Sequence, residues 1–256
     1  MTISQAQEAR YRDQVTLEGW GEKAQERLAS ASVLIVGAGA LGSAAAMYLV
    51  AAGVGRVGIV DAATVELAGI ASEPLHYTPD VGRLKAENAA LKLGVLNPLV
   101  QIDPFPVRID ATNAAAIVAG ADVVVDCSNS AATTYVVNDA CCAEGVGLVA
   151  ASFDGLAAIA ITVRPGISAC YSCAFPDAPT TGRATAGPFA GMLGSIQALE
   201  ALKLLTSSGE PLVDRVLRLD GVTLCESLTP VSRRGGCPSC ALALASSIAA
   251  AREPVA

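Results

Sequence analysis

The pattern of hydrophobic and polar positions is clearest in residues 33–61. An apolar run begins at Val33, a glycine-rich turn and an alanine-rich stretch follow, and a second apolar run ends at Asp61. β-Branched residues cluster at both ends of this stretch, with alanines between them. This pattern predicts a strand, a turn, a helix and a second strand.

The same stretch permits a second interpretation, because it carries no charge from Val33 to Gly55 and is long enough to span a membrane. Glycines interrupt this uncharged run at Gly37, Gly39, Gly42, Gly53 and Gly55. Alternating strands and helix account for these interruptions, whereas a membrane-spanning helix does not. We therefore expect a globular domain without a membrane span.

The rest of the chain also alternates between helices and strands. Helical periodicity marks residues 83–96, which end before the helix stop Asn97-Pro98, and a continuous apolar stripe marks a helix at 189–206. Short apolar runs predict strands at 121–127, 147–152, 156–163 and 215–220. We further expect a helical tail at 241–252 and an irregular segment at 177–187.

This alternation predicts an α/β fold of the Rossmann-like type, with a mostly parallel central sheet flanked by helices. The length of 256 residues and a hydrophobic content of 52% suit one large domain. We expect a single domain over residues 1–256, with a helical N-terminal segment at 1–30, a nucleotide-binding half at 31–165 and a C-terminal half at 166–256.

Charge and the N-terminal sequence exclude several function classes. The net charge is −7 and no segment concentrates basic residues, so we expect no nucleic-acid partner. The first residues are polar and lack the apolar region of a signal peptide, which favours a cytoplasmic protein.

Cysteine spacing predicts a metal site in the C-terminal half. Two Cys-x-x-Cys pairs supply four thiols, which can close a tetrahedral, structural zinc site without an open position: Cys170, Cys173, Cys237 and Cys240. Disulfides are disfavoured in the cytoplasm, and a redox pair does not require a second copy. We expect the remaining cysteines to be small buried hydrophobic residues: Cys127, Cys141, Cys142 and Cys225.

The glycine-rich turn predicts a nucleotide site. Between a strand and a helix, Gly-x-Gly-x-x-Gly lets backbone N–H groups approach a phosphate at the helix N-terminus, and an acid at the tip of the next strand can accept hydrogen bonds from a ribose. The candidate residues are Gly37, Gly39, Ala40, Leu41, Gly42 and Asp61. Taken alone, these residues also leave open an NAD-dependent oxidoreductase.

Further patterns occur in a fixed order over nearly the whole chain. They are RYRDQ at 10–14, GAGALGS at 37–43, AAGVGRV at 51–57, GRLKAE at 82–87, LNP at 96–98, DCSN at 126–129, CYSC at 170–173, GPFAGMLGSIQALEALKLL at 187–205 and GCPSC at 236–240. With these patterns the chain resembles the ThiF/MoeB family, the bacterial relatives of ubiquitin-activating enzymes. An oxidoreductase explains neither the cysteine pairs nor the 187–205 pattern.

The resemblance implies a homodimer that binds ATP and Mg²⁺ and adenylates the C-terminal Gly-Gly carboxylate of a small ubiquitin-like sulfur-carrier protein. The carboxylate attacks the α-phosphate and pyrophosphate leaves. The resemblance also implies that Lys85 is the catalytic phosphate contact, and that Asn129 lies at the metal-binding position of the nucleotide site. His76 is the only histidine, and we expect it to be a packing residue.

Several positions depart from the family pattern near the phosphates and the metal. The family has Arg, Asn, Arg and Asp where this chain has Asp13, Gly69, Ser72 and Asn129, and its sulfur-handling Cys falls near Thr180. Two nearby arginines are candidate substitutes for the missing charges, namely Arg12 and Arg183.

These departures leave two function classes. Removing one preorganised charge stabiliser typically slows a reaction by about two to three orders of magnitude. The chain is therefore either an active adenylyltransferase that uses relocated charges, or a degenerate or repurposed family member. The second would bind a nucleotide or a partner, possibly as one subunit of a heterodimer, without efficient adenylation.

Overall fold

Eight strands form one sheet in the computed structural model of this chain, which describes residues 5–182 and 184–243. The strands are β1 (Ser32–Val36), β2 (Arg56–Val60), β3 (Gln101–Phe105), β4 (Val123–Asp126), β5 (Gly147–Asp154), β6 (Ala157–Val163), β7 (Arg215–Asp220) and β8 (Cys225–Pro230). The α-helices are α1 (Gln5–Val15), α2 (Gly21–Ser30), α3 (Ala40–Ala52), α4 (Lys85–Leu96), α5 (Ala114–Val118), α6 (Ala131–Glu144), α7 (Tyr171–Ala174) and α8 (Gly187–Thr206).

The strand order β3-β2-β1-β4-β5-β6-β7-β8 confirms the predicted mostly parallel α/β fold. Five adjacent strands run parallel to one another, namely β3, β2, β1, β4 and β5. The strands β6, β7 and β8 are antiparallel to their neighbours. From β1 the chain proceeds outward to β3, and it then returns to place β4 on the other side of β1. In open α/β sheets, ligands bind at such a reversal, outside the carboxyl ends of the strands.

The register brings the candidate nucleotide residues to one edge of the sheet. Val36, the last residue of β1, pairs with Val60 of β2 and with Asp126 of β4. These three strands therefore end level. As a result, the loops that begin at Gly37, Asp61 and Cys127 lie side by side.

Both faces of the parallel strands are covered. Alternate residues of β1 enter two hydrophobic cores: Val33 and Ile35 face the core that contains residues of α3, α4 and α8. Leu34 and Val36 face the core that contains residues of α5, α6 and α7. This alternation follows from the two-residue period of a strand and explains why β1 is hydrophobic at successive positions.

Helix α8 connects the C-terminal half of the chain to strands of the N-terminal half. Gln197 Nε2 donates a hydrogen bond to the Asp126 carbonyl oxygen at 2.6 Å. Glu200 Oε2 accepts hydrogen bonds from Thr162 Oγ1 and from the Leu212 backbone N–H, each at 2.6 Å. The polar residues of the QALEALK pattern therefore join α8 to β4, to β6 and to the segment before β7.

Most predicted elements agree with the structure to within a few residues. The strand–turn–helix–strand interpretation of residues 33–61 is confirmed, and among the described residues no helix is long and apolar enough to cross a membrane. The segment predicted to be irregular contains neither helix nor strand at 177–182 and 184–186. Of the expected tail helix, only residues 241–243 are described, and they are helical; the remainder lies outside the described residues.

One prediction about the isolated cysteines is wrong. Cys127, Cys141 and Cys142 are buried as expected, whereas Cys225 is exposed. Cys225 begins β8, which lies at the antiparallel edge of the sheet and is exposed at every position. No layer of helices covers this strand among the described residues, so an apolar neighbourhood in the sequence did not lead to burial.

Candidate nucleotide site and cysteine cluster

The glycine loop is packed so tightly that side chains are excluded at two of its positions. Gly37 has a φ of +98°, and a Cβ atom there would lie 2.8 Å from the Cys127 carbonyl oxygen. A Cβ atom at Gly42 would lie 1.9 Å from the Gly37 carbonyl oxygen. The loop therefore touches both the end of β4 and the first turn of α3, which leaves the backbone around Gly39 facing the adjacent cavity.

Two side chains hold the loop from either side. Asp61 Oδ2 accepts the Ala38 backbone N–H at 2.8 Å, and its Oδ1 accepts the Ala63 backbone N–H at 2.7 Å. His76 Nε2 lies 2.9 Å from the Ala38 carbonyl oxygen, and its Nδ1 lies 2.8 Å from Asn88 Nδ2. Because the amide nitrogen donates to Nδ1, Nε2 carries the proton and donates to Ala38.

Burial lowers the pKa of His76, although the bond to the Ala38 carbonyl acts in the opposite direction. The imidazole is therefore neutral at pH 7, as the hydrogen-bond pattern also requires. This arrangement confirms a packing role for His76. It adds a role that the sequence did not reveal, which is support of the glycine loop.

A cavity of about 590 Å³ lies between the glycine loop and three other segments. Its described lining residues come from the glycine loop and β2 end, from the 68–85 region, from the β4 and β5 ends, and from the segment before α8. They include Gly37, Gly39, Ala40, Leu41, Asp61, Ala68, Ala71, Ser72, Glu73, Lys85, Cys127, Ser128, Asn129, Phe153, Gly182, Ala184, Thr185, Ala186 and Gly187. The structure thus brings together Lys85, Asp61, Asn129 and the glycine-loop candidates, except for Gly42, which packs behind the loop.

One charged residue of the cavity, Glu73, was not identified from the sequence. Its Oε1 accepts a hydrogen bond from Lys85 Nζ at 2.7 Å, and both side chains are nearly buried, with 10% and 13% of their surface exposed. Glu73 follows Ser72 directly in the segment where the family pattern is lost. The feature of the sequence that could have indicated Glu73 is the presence of an acidic residue in this otherwise weakly charged segment.

The end of β4 contributes polar groups beside the loop. The Asp126 carboxylate is fully buried, its Oδ1 accepts the Ser128 backbone N–H at 3.0 Å, and burial raises its pKa. Asn129 has a φ of +49°, which Asn tolerates, and its Oδ1 accepts the Phe153 backbone N–H at 2.9 Å. Asp126 therefore has the backbone hydrogen bond that is usual for such an acid, and the Asn129 oxygen is already engaged.

Of the two candidate arginine substitutes, Arg12 belongs to the described residues, and it does not line the cavity. Gln14 Nε2 of α1 donates to the carbonyl oxygen of Ala52, the last residue of α3, at 3.0 Å. The glycine loop lies at the opposite end of α3, and a helix of this length spans about 20 Å. Within one chain, Arg12 and Asp13 are therefore far from the loop. Arg183 lies outside the described residues.

The four paired cysteines converge at one point. The Sγ–Sγ distances are 3.7 Å for Cys170–Cys173, 3.6 Å for Cys170–Cys237 and 3.5 Å for Cys173–Cys240, and all four sulfur atoms lie within 4.8 Å of one another. A tetrahedral zinc with Zn–S bonds of about 2.3 Å requires sulfur atoms about 3.8 Å apart. The cluster therefore fits a tetrahedral metal ion.

The fold and the site together define the class of the protein. A glycine loop at the reversal point of a parallel sheet, facing a cavity with an acid and a lysine, is typical of nucleotide-binding α/β proteins. The sequence pattern of the ThiF family matches residues 11–239. The chain belongs to the ThiF family.

Similar proteins cover almost the whole chain. "SAMP-activating enzyme E1" of Haloferax volcanii is 38% identical over 250 residues, which cover 94% of this chain and 91% of that protein. "Sulfur carrier protein adenylyltransferase" of Thermus thermophilus is 41% identical over 243 residues, which cover 90% of each chain. Among solved structures, E. coli MccB has a TM-score of 0.83 at 21% identity, covering 90% of this chain and 74% of that chain, and this likeness supports the fold.

Proposed function

We propose that this chain binds ATP in the cavity above the glycine loop and adenylates the C-terminal carboxylate of a small ubiquitin-like sulfur-carrier protein or a similar peptide. The observation that carries the proposal is the meeting of the glycine loop, Asp61 and Lys85 at one cavity. The similarity to two carrier-activating proteins over nine-tenths of the chain supports it.

The proposed reaction forms one bond and breaks another. A carboxylate oxygen of the carrier attacks the α-phosphorus of ATP, and the bond to the bridging oxygen breaks, so that pyrophosphate leaves with the electron pair. The chain's own contribution is to orient the nucleotide through the loop and Asp61, and to place the Lys85 ammonium beside the phosphates.

A metal ion bound to the phosphates would supply further positive charge. Mg²⁺ commonly keeps several waters and takes few ligands from the protein. Ser128 and Asn129 are the polar side chains after β4 that line the cavity, and the Asn129 amide oxygen already accepts a hydrogen bond from the Phe153 backbone N–H. Mg²⁺ would therefore be held mainly by the ATP phosphates and water, and Ser128 and Asn129 are the side chains after β4 that could contact this hydrated ion.

We further propose that the cysteine cluster holds one structural Zn²⁺. The cluster joins the start of α7 to the segment after β8. Cys170 is the N-cap residue of α7 and Cys173 lies within it, whereas Cys237 and Cys240 follow β8. Four sulfur ligands leave no open coordination position, so the ion stabilises the fold and takes no part in adenylation.

A cytoplasmic location and an assembly of two chains are part of the proposal. Reduced thiols of the kind that bind zinc persist in the cytoplasm. Arg12 is exposed on α1 and does not reach the cavity of its own chain. A second subunit, either another copy or a related chain, would be needed to bring such an arginine to the phosphates.

A second candidate function is nucleotide or partner binding without efficient adenylation. The Glu73–Lys85 ion pair favours it, because the lysine that should face the phosphates is already neutralised.

ATP–pyrophosphate exchange distinguishes the two candidates. The wild-type chain is incubated with Mg²⁺, ATP, labelled pyrophosphate and candidate carriers that end in Gly-Gly. Carrier-dependent exchange that is lost in Lys85→Met and kept in Lys23→Met, an exposed lysine of α2, supports adenylation. ATP binding without exchange supports the second candidate. Absence of ATP binding contradicts adenylation and leaves, of the second candidate, only the binding of a partner.

A further inference from the structure

The Glu73 carboxylate occupies the position in the cavity where an anion is expected. A Cβ atom at Gly39 would lie 3.4 Å from Glu73 Oε1. Gly39 is the N-cap residue of α3, and the free N–H groups of a helix N-terminus attract anions. Glu73 therefore lies against the part of the glycine loop that would receive a phosphate.

The absence of a side chain at Gly69 makes room for this arrangement. A Cβ atom at Gly69 would lie 3.0 Å from Glu73 Oε2 and 3.1 Å from its Oε1. A side chain at position 69 would therefore require the Glu73 carboxylate to shift from its present place by a few tenths of an ångström. The glycine at 69 and the acid at 73 form one local arrangement.

Glu73 also takes up the positive charge of the cavity. Lys85 is the one positively charged side chain among the described residues that line the cavity, and its Nζ lies 2.7 Å from Glu73 Oε1. No described residue donates a hydrogen bond to Glu73 Oε2, which is buried. The carboxylate thus depends on Lys85, and an incoming phosphate would compete with it for the same ammonium group.

We propose that Glu73 is an internal competitor for phosphate: it holds Lys85 until a nucleotide displaces it, and it thereby lowers the affinity of the site for ATP relative to adenosine. The proposal rests on the nucleotide site proposed above. It adds that Glu73 determines how strongly this site favours a nucleotide with phosphates over a nucleoside without them. Adenosine has no phosphates that compete with the Glu73 carboxylate for Lys85, so the affinity of the site for adenosine does not depend on Glu73.

The Glu73→Gln variant removes the negative charge of residue 73 and keeps the shape of its side chain. We expect Glu73→Gln to raise the affinity for ATP at least about tenfold, a difference of about 1.4 kcal/mol, and to leave the affinity for adenosine within about twofold. Glu66→Gln removes the same charge from an exposed position in the same segment and serves as the matched control, with no expected change. Calorimetric titration of each purified protein with ATP and with adenosine, with and without Mg²⁺, gives the affinities.

Gly69→Ala provides a second variant, which keeps Glu73 and adds no polar group. The new Cβ atom would lie 3.0 Å from Glu73 Oε2 and 3.1 Å from its Oε1, so the carboxylate must shift, and we expect a gain in ATP affinity in the same direction as for Glu73→Gln. Thermal unfolding of every variant checks that it is folded before the titrations are compared.

The outcomes separate this inference from the proposed function. Equal ATP affinity in the wild-type protein and Glu73→Gln, with adenosine bound by both, overturns the role of Glu73 and leaves the nucleotide site intact. A loss of ATP affinity in Glu73→Gln that occurs only with Mg²⁺ also overturns it, because Glu73 would then be a metal ligand. No binding of either compound by any variant contradicts the nucleotide site itself.

Discussion

At the scale of single residues, the side chains around the glycine loop act mainly by holding its backbone in place. Asp61 accepts the N–H of Ala38 and His76 donates to the carbonyl of the same residue, so both polar groups of one loop residue are fixed. A loop held in this way presents its remaining N–H groups to a phosphate without reorganisation. Asp61 therefore supports the loop and also lines the cavity of the proposed nucleotide site.

The stability of the protein should depend on the protonation of His76. Burial lowers its pKa in the folded chain, whereas in the unfolded chain it titrates near its ordinary value of about 6.5. The unfolded state therefore binds more protons below about pH 6.5, and the free energy of unfolding falls there by up to about 1.4 kcal/mol per pH unit.

Denaturant unfolding at about pH 7.5 and about pH 5.5 measures this effect. Because His76 is the only histidine of the chain, no other histidine contributes to the difference. Acids with lowered pKa, such as Asp80 and Asp103, lose their contribution only at lower pH. His76→Gln should have a flatter dependence over this range. An equal slope in the variant and the wild-type protein would show that His76 is not the group responsible.

At the scale of elements, the sequence predicted the parts of the fold that have strong periodicity. The strand at 215–220 agrees residue for residue, and the helices predicted at 83–96 and 189–206 begin within two residues of their predicted starts. The helices α5, α6 and α7 and the strands β3 and β8 were not predicted. Helix α6 contains Thr, Val and Cys, which have weak helix propensity, and β8 is exposed on both faces, so neither has a clear pattern.

The part of the candidate site that is made of motif residues was predictable from the sequence. Gly37, Gly39 and Asp61 follow from motif and spacing, Lys85 follows from the family resemblance, and the structure brings these residues to one cavity. The Glu73–Lys85 pair was not predictable, because the two residues are twelve positions apart and meet through the irregular segment between β2 and α4. Periodicity carries no information about the path of such a segment.

Helix α8 offers a test of how the C-terminal half is attached. Both Thr162 and the Leu212 N–H bond to the buried Glu200 carboxylate, so Glu200→Ala leaves two buried donors without a partner. We expect the free energy of unfolding to fall by about 2–4 kcal/mol, as measured by denaturant unfolding. Glu226→Ala, in the exposed strand β8, should change it by less than about 0.5 kcal/mol. Similar values for the two variants would contradict the structural role of Glu200.

At the scale of the whole molecule, one sheet extends through both halves of the chain. Strands β1 to β5 carry the nucleotide cavity, and β6 to β8 continue the same sheet toward the cysteine cluster. The cluster lies in the core formed with α5 and α6, away from the face that α3 and α8 cover. The proposed metal therefore supports the fold at a distance from the proposed chemistry.

Metal content tests this division of roles. We expect about one zinc per chain in freshly purified protein, and we expect Cys173→Ser to lose the zinc and to unfold at a lower temperature, because three thiolates bind less tightly than four. Cys225→Ser, at an exposed cysteine outside the cluster, should keep both properties of the wild-type protein. Zinc-free wild-type protein would refute the four-sulfur site.

The central claim is that ATP binds at the glycine loop, and the most direct test is a calorimetric ATP titration of the wild-type protein, Gly42→Ala and Gly94→Ala. A Cβ atom at Gly42 would lie 1.9 Å from the Gly37 carbonyl oxygen, whereas one at Gly94, in helix α4, meets nothing within 4 Å. We predict that ATP binds the wild-type protein and Gly94→Ala alike, and that folded Gly42→Ala binds at least about tenfold more weakly. Equal affinity in all three proteins, or no binding to the wild-type protein, would contradict the account.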